Sequence, residues 1–272
     1  MKHLVTGTVL AALGAGAAHA GGVERSTQSV GILFEKGNYA EFSFSYFEPS
    51  VSGRVGAPFA PAGSGNMLDS FTNVTLAYKH ALTDQIDLAI VFDQPIGANV
   101  DYPLGTGYPI QGTTAELKNN AITGFIRYKL PSSISLIGGV RVMQTSGIVS
   151  IPNPPPVPAA PPYALKTSEE TDFGYVVGVA WERPEIAARV ALSYNSAITH
   201  DFDATESSIL TGGLPVAGTF KTEIPESINL EFQTGIAPDT LLFGSIRWVN
   251  WTEFTIDPDE YRNVYPGNAL VD

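Results

Sequence analysis

Tyr39-Ala40-Glu41-Phe42-Ser43-Phe44-Ser45-Tyr46 alternates at every step, with Ala40, Phe42, Phe44 and Tyr46 on one parity and Glu41, Ser43 and Ser45 on the other. Successive side chains of an extended strand point to opposite faces, so the segment predicts a strand with one apolar and one polar side. The pattern recurs near 70–81, 85–94, 117–129, 133–149, 171–182, 186–200, 223–236 and 240–254. Phe173, Tyr175, Val177, Val179 and Trp181 form one of these apolar faces, and Ile122, Ile126 and Tyr128 form another. The opposite parity carries Lys79, Asp87, Arg127, Arg141, Arg189, Glu231 and Arg247.

Loop lengths choose the architecture. The connections at 82–84, 130–132, 183–185 and 237–239 are short, and Pro131, Pro184 and Pro238 suit tight turns. Those at 49–69, 95–116, 150–170 and 201–222 are long, and short and long alternate strictly. Short turns at one end and long loops at the other mark a transmembrane barrel. The expected fold is therefore all-β: an antiparallel up-and-down β-barrel with the apolar faces toward lipid and the polar faces toward the lumen. A soluble β-sandwich gives no reason for such sorting.

The 272-residue chain opens with Lys2 and His3, an apolar run Leu4–Ala17 and Ala18-His19-Ala20. This is the build of a signal peptide cleaved near Ala20, which directs the chain out of the cytoplasm. Residues 21–37 are then a short periplasmic or lumenal segment, and 38–272 the barrel. A net charge of −12 excludes the basic face that nucleic acid requires, and the absence of cysteine excludes thiolate metal sites and cysteine nucleophiles. No G-x-S-x-G elbow, H-E-x-x-H or phosphate loop is present, so no enzyme is expected. His200-Asp201 reads as a polar strand end. Asp201, Asp203 and Glu206, like Asp257, Asp259 and Glu260, read as solvated acidic clusters without calcium-loop spacing. No metal or cofactor is expected. Pro152–Pro162 reads as a stiff polyproline spacer.

Several runs resemble the FadL/TodX family of outer-membrane transporters of hydrophobic compounds. They are Glu24–Glu35, Asp93–Pro103, Val190–His200, Ile224–Gly235 and Leu241–Phe254. The resemblance implies an outer-membrane, monomeric barrel of about fourteen strands that takes up long-chain fatty acids or other hydrophobic molecules by passive diffusion. It also implies a lumenal N-terminal hatch and a kink in the third strand through which ligand leaves into lipid. Nine strands are read here, and the chain ends as Asn268-Ala269-Leu270-Val271-Asp272, so the barrel is expected to be incomplete at its C-terminus. The segment before the first strand leaves room only for a reduced hatch. Pro95 and Gly97 are the candidate wall kink, since Pro in a strand is confined to edges and bulges.

A fatty-acid carboxylate would seek arginine, and lumenal Arg127, Arg141, Arg189 and Arg247 are the candidates, each in competition with nearby carboxylates. Phe59, Met67 and Leu68 are candidates for an outer capture groove. The alternative functions are a general porin for small polar solutes, favoured by a short plug, and an adhesive surface barrel acting through its loops.

Overall fold

A computed structural model describes residues 22–56, 61–152 and 162–271. The expected signal peptide with its cleavage site, Phe59 and most of the polyproline run lie outside the described residues. The strands in chain order are β1 (Tyr39–Phe47), β2 (Arg54–Val55), β3 (Ala62–Gly63), β4 (Phe71–Ala81), β5 (Ile86–Asp93), β6 (Ala98–Asp101), β7 (Thr114–Lys129) and β8 (Ile134–Ile151). They continue as β9 (Tyr163–Thr167), β10 (Glu170–Arg183), β11 (Ala188–Asn195), β12 (Ile198–Ser208), β13 (Val216–Ile224), β14 (Ser227–Ala237) and β15 (Thr240–Val249). One short helix, α1 (Asp259–Val264), follows.

Thirteen of these strands form one curled antiparallel sheet. Its continuous path is β1-β4-β5-β7-β8-β10-β11-β14-β15, which corresponds strand for strand to the nine alternating segments of the sequence. Among the described residues β1 and β15 are the edges of this path and do not pair with each other. The convex side carries Phe42, Phe44, Leu76, Tyr78, Ile126, Phe173, Val177, Trp181, Leu192 and Trp248, all exposed. The concave side carries Lys79, Asp87, Asp93, Arg127 and Arg141, all buried. This inversion of a soluble protein's burial pattern is what a bilayer demands of a barrel wall. Backbone groups in lipid have no water to bond, so the ladder itself satisfies them.

The sequence reading is corrected in four places. The stretch read as one strand over 186–200 begins with a 3-10 turn at Pro184–Ile186, and β11 starts only at Ala188. Pro184 has no N–H for a ladder, and Ala187 is left-handed at φ 50°. That stretch then breaks at Ser196–Ala197 and resumes as β12; the 223–236 stretch breaks likewise at Pro225–Glu226, between β13 and β14. The supposed long loop 201–222 is largely ladder, and the described part of 150–170 carries ladder too: β12 pairs with both β13 and β9, and β9 with β8. Finally, Trp251–Glu253 form a 3-10 turn rather than the end of the last strand.

Candidate ligand site

The N-terminal segment lies inside the curled sheet. Val30 and Leu33 are 1% and 0% exposed and pack on Ala89, Phe125, Val176 and Ala191 of the inner wall. Polar bonds moor the segment on several sides. Ser26 Oγ donates to Asp93 at 2.7 Å, and Ser29 Oγ and the Val30 N–H both donate to Glu231. Asn229 Nδ2 donates to the Thr27 carbonyl at 2.7 Å, and Lys79 Nζ to the carbonyls of Glu35 and Gly37.

All four candidate arginines face this segment. Arg127 donates to the Leu33 carbonyl, pairs with Glu182 and stands 3.7 Å from Asp87. Arg141 donates to Gln28 Oε1 at 2.6 Å and to Thr123. Arg127 and Arg189 sandwich the Phe34 ring, at 4.4 and 4.5 Å from its centre. Arg247 pairs with Glu24 and donates to Asn229. Arg141 and Arg189 also border a polar cavity of about 310 Å³ beside the segment, together with Glu35, Glu41 and Asp93. The structure thus gives each guanidinium a protein partner within the lumen.

The apolar space lies elsewhere, at the end where the long connections gather. A cavity of about 400 Å³ is enclosed by β6–β9, β12, β13 and the stretch after β15. Its walls include Leu117, Val149, Leu165, Phe202, Phe220 and Phe254, and Tyr261 and Tyr265 of the α1 region close it. Among the described residues Glu116 is the single charged one that borders it, and no Lys or Arg does. Burial pushes the Tyr265 phenol up to about 12 and the Tyr261 phenol upward, so both are neutral at physiological pH. Its volume suits one small organic molecule. Neither Met67 nor Leu68 lines it; Met67 holds Val51 and Asp101 by backbone bonds, and Leu68 bridges to Val100.

One wall of this cavity meets an interruption in the third strand. β5 pairs with β7 down to Asp93↔Ala121, and β6 resumes at Ala98↔Leu117, which leaves one extra residue on the β5–β6 side. Pro95 and Gly97 turn inward there: the Pro95 carbonyl accepts from the Arg25 N–H at 2.8 Å, and the Gly97 N–H donates to the Val23 carbonyl. β4 therefore pairs with β5 only from Leu76 onward, and Phe71–Thr75 have β1 alone as a ladder partner. The resulting notch is filled by side chains. Gln94 accepts from the Val74 N–H, and Arg25 donates to Asn99 Oδ1 at 2.9 Å and lies 4.1 Å over the Phe71 ring. Glu116 borders both the notch and the apolar cavity.

The acidic clusters are structural as well. Glu206 is buried and accepts from Tyr163 Oη and the Tyr261 N–H, and Glu260 accepts from Ser208 Oγ. Among the described residues no group of His, Asp and Glu side chains has the geometry of a metal site. His200 is not a strand end; it is fully buried, with Nδ1 2.7 Å from Asp172 and Nε2 2.9 Å from Thr145.

Residues 38–256 match the family of outer membrane protein transport proteins (OMPP1/FadL/TodX). The chain belongs to this family. Solved structures of the same fold agree. A FadL homologue of Pseudomonas aeruginosa aligns at 16% identity and a TM-score of 0.58, covering 86% of this chain and 63% of that one. The toluene transporter TbuX of Ralstonia pickettii aligns at 12% identity and 0.59, covering 83% and 66%. The toluene transporter TodX of Pseudomonas putida aligns at 13% identity and 0.52, covering 81% and 61%. The chain thus spans less than two thirds of the length of these structures. No curated protein matches it by sequence. Within the FadL/TodX fold, the cavity is built in part by the ends of read strands, such as Leu117, Thr145 and Val149, and in part by segments that sequence reading assigned to loops. The signal that betrays them is the alternation Ile198-x-His200-x-Phe202-x-Ala204 and Phe220-x-Thr222-x-Ile224.

Proposed function

We propose that this protein is an outer-membrane channel for passive uptake of uncharged hydrophobic small molecules. One observation carries the reading: the apolar cavity is walled mainly by aliphatic and aromatic side chains and, among the described residues, has no cation on its lining. A carboxylate desolvated there would gain no partner to offset the cost of burying its charge, whereas a neutral aromatic or aliphatic molecule needs none. Of the arginines that would serve a fatty acid, Arg127, Arg141 and Arg247 are committed to Glu182, Gln28 and Glu24, and Arg189, stacked on the Phe34 ring with its Nε unbonded, stands away from the apolar cavity. A general porin is disfavoured by the N-terminal segment, whose Val30 and Leu33 occupy part of the lumen against the wall. In this reading the cavity captures the molecule, and the notch at Pro95–Gly97 lets it pass sideways into lipid once Arg25 moves.

Displacement of a fluorescent hydrophobic probe from the purified protein tests this. Toluene is expected to displace the probe and octanoate to fail at the same free concentration. Displacement by octanoate with none by toluene would overturn the reading.

A further inference from the structure

The notch at Pro95–Gly97 is not the wall's only interruption. β10 pairs with β11 from Val176↔Asn195 toward its C-terminal end, and β12 pairs with β9 from Ala204↔Thr167 onward. Between these two ladders Glu170–Gly174 of β10 have β8 as their one ladder partner, and Ile198–Asp203 of β12 have β13 as theirs. Two backbone bonds bracket the span: the Ser196 N–H donates to the Tyr175 carbonyl at 2.9 Å, and the Ser168 N–H donates to the Asp203 carbonyl at 2.7 Å. Inside it no backbone bond joins β10 to β12 among the described residues.

Side chains close this gap. Asp172 and His200 reach across it, with Oδ2 and Nδ1 2.7 Å apart. Ile198, which is 3% exposed, lies against Gly174: a Cβ at Gly174 would stand 2.7 Å from Ile198 Cγ1. Gly174 does not occupy the left-handed region, so its missing side chain serves as the seat for Ile198. The notch is built alike, with Arg25 where a Cβ of Gly97 would fall. On the inner side Ile198 packs in one cluster with Ile224 and Phe254, which line the apolar cavity. On the outer side the gap runs past Phe173, an exposed apolar residue of the lipid face.

We propose that this gap is a second lateral portal of the cavity, through which an uncharged hydrophobic ligand passes between β10 and β12 once Ile198 leaves Gly174 and the Asp172–His200 pair parts; this rests on the reading of the cavity as the channel's ligand site. Opening a continuous ladder strips backbone groups of partners that lipid cannot replace. Opening here breaks one side-chain bond, moves one aliphatic side chain and leaves every ladder in place. The portal therefore lies where the wall parts most easily, as the notch does.

The test is a reversible lock. The chain has no cysteine, so Gly174→Cys with Ile198→Cys gives a single pair, and the close approach brings the two Cβ atoms within the roughly 3.5–4.5 Å of a disulfide. Neither residue is on the cavity lining. Uptake of N-phenyl-1-naphthylamine, an uncharged probe that fluoresces in lipid, is followed in intact cells carrying the full chain in the outer membrane, relative to cells without it. Oxidation of the pair is expected to lower the protein-dependent rate at least about twofold, the share of one of two equal exits, and a thiol reductant to restore it. Probe binding to the purified variant is expected to agree within about twofold in the two states, because the cavity itself is unchanged. Equal uptake in the two states, with the disulfide confirmed by loss of thiol labelling, overturns the portal and leaves the cavity's role standing. A wild-type protein that neither binds the probe nor raises its uptake overturns the channel reading as well. Asp172→Asn, which keeps the shape and weakens the bond across the gap, tests the same closure without cysteines and decides the matter if the reduced pair fails to bind probe. Its uptake rate is expected to rise at least about twofold, since a charge-assisted bond is roughly twice as strong as a neutral one. An unchanged rate overturns the proposal.

Discussion

Gly97→Ala is the substitution that most directly probes how the N-terminal segment is latched to the wall. Gly97 does not occupy the left-handed region, so an alanine there carries no backbone strain. A Cβ at this position would instead fall on the Arg25 guanidinium, inside any tolerable contact distance from Cζ, Nε and Nη1. The flexible arginine must leave the notch. Departure costs its bond to Asn99, about 1.5–3 kcal/mol for a charged donor when buried, and its stacking on Phe71, about 0.5–2 kcal/mol. The notch is partly solvated, so we take the lower part of the summed range, about 2–3 kcal/mol, which is about 30- to 150-fold in an opening equilibrium. Hydrogen exchange of the Arg25 and Gly97 amides reads this equilibrium, because both are bonded across the notch. Exchange at these amides is expected to accelerate by that factor in Gly97→Ala. Arg25→Ala should give the same acceleration, and the double variant should add nothing, since both changes remove one interaction. A rise of less than about threefold, or additive effects of the two changes, would refute the latch.

Other predictions address the lumen, the cavity and its charge. Asp87 is fully buried among Lys79, Lys129 and Arg127, so Asp87→Asn leaves cations uncompensated and is expected to cost about 3–5 kcal/mol, read as a lowered midpoint in denaturant unfolding. Ile256 lines the apolar cavity, and Ile256→Arg is expected to convert octanoate from a non-binder to a binder while weakening toluene, measured by probe displacement. The raised Tyr265 phenol is neutral in the folded chain up to about 12, whereas an unfolded tyrosine ionises near 10. Its stabilising contribution is thus complete below about pH 10 and disappears as pH rises through 12, so a pH series of unfolding midpoints should fall in that window, and Tyr265→Phe should flatten the fall.

The wall was legible in the sequence because a lipid-facing strand obeys one local rule, alternation, and nine segments obeyed it. Phe173 to Trp181 and Ile122 to Tyr128 occupy the lipid side for the same reason that they read as apolar faces. The lumen was legible only by sign. Arg127, Arg141, Arg189 and Arg247 were placed correctly on the inner side, yet their partners Leu33, Gln28, Phe34 and Glu24 come from a segment without any period of its own. Gly97 was read as a bending residue, and nothing in the sequence showed that its lack of a side chain also makes room for Arg25. The cavity was missed because β9, β12 and β13 present polar outer faces, as at Thr199, Asp201 and Asp203, and so lack the bulky lipid-facing residues that announce a membrane strand.

The same polar faces locate the cavity relative to the membrane. Along β7 the outward residues change from Ile122 to Asn120, Lys118 and Glu116; along β8 from Val142 to Gln144; along β10 from Phe173 to Thr171. Asn120, Gln144 and Thr171 are ladder partners, so the change occurs at one level around the wall. The break at Ser168–Glu169 lies just beyond it, as does the interruption at Gln94–Gly97, which lies between Asp93↔Ala121 and Ala98↔Leu117, whereas the breaks at Ser196–Ala197 and Pro225–Glu226 fall nearby, in the ladder beside Tyr175. Strand breaks need hydrogen-bonding alternatives, which water and polar side chains supply beyond the apolar belt and lipid does not. Ser196 illustrates this: its Oγ takes the Tyr175 N–H. The cavity walls, Ala115–Leu117, Thr145–Ile151 and Phe202, stand beyond that level, and the notch stands at it. A molecule held in the cavity is therefore already outside the hydrocarbon belt and beside the single point where the β4–β5 ladder opens. In the proposed channel, the order of capture first and lateral passage second would follow from where the chain can break its own hydrogen bonds.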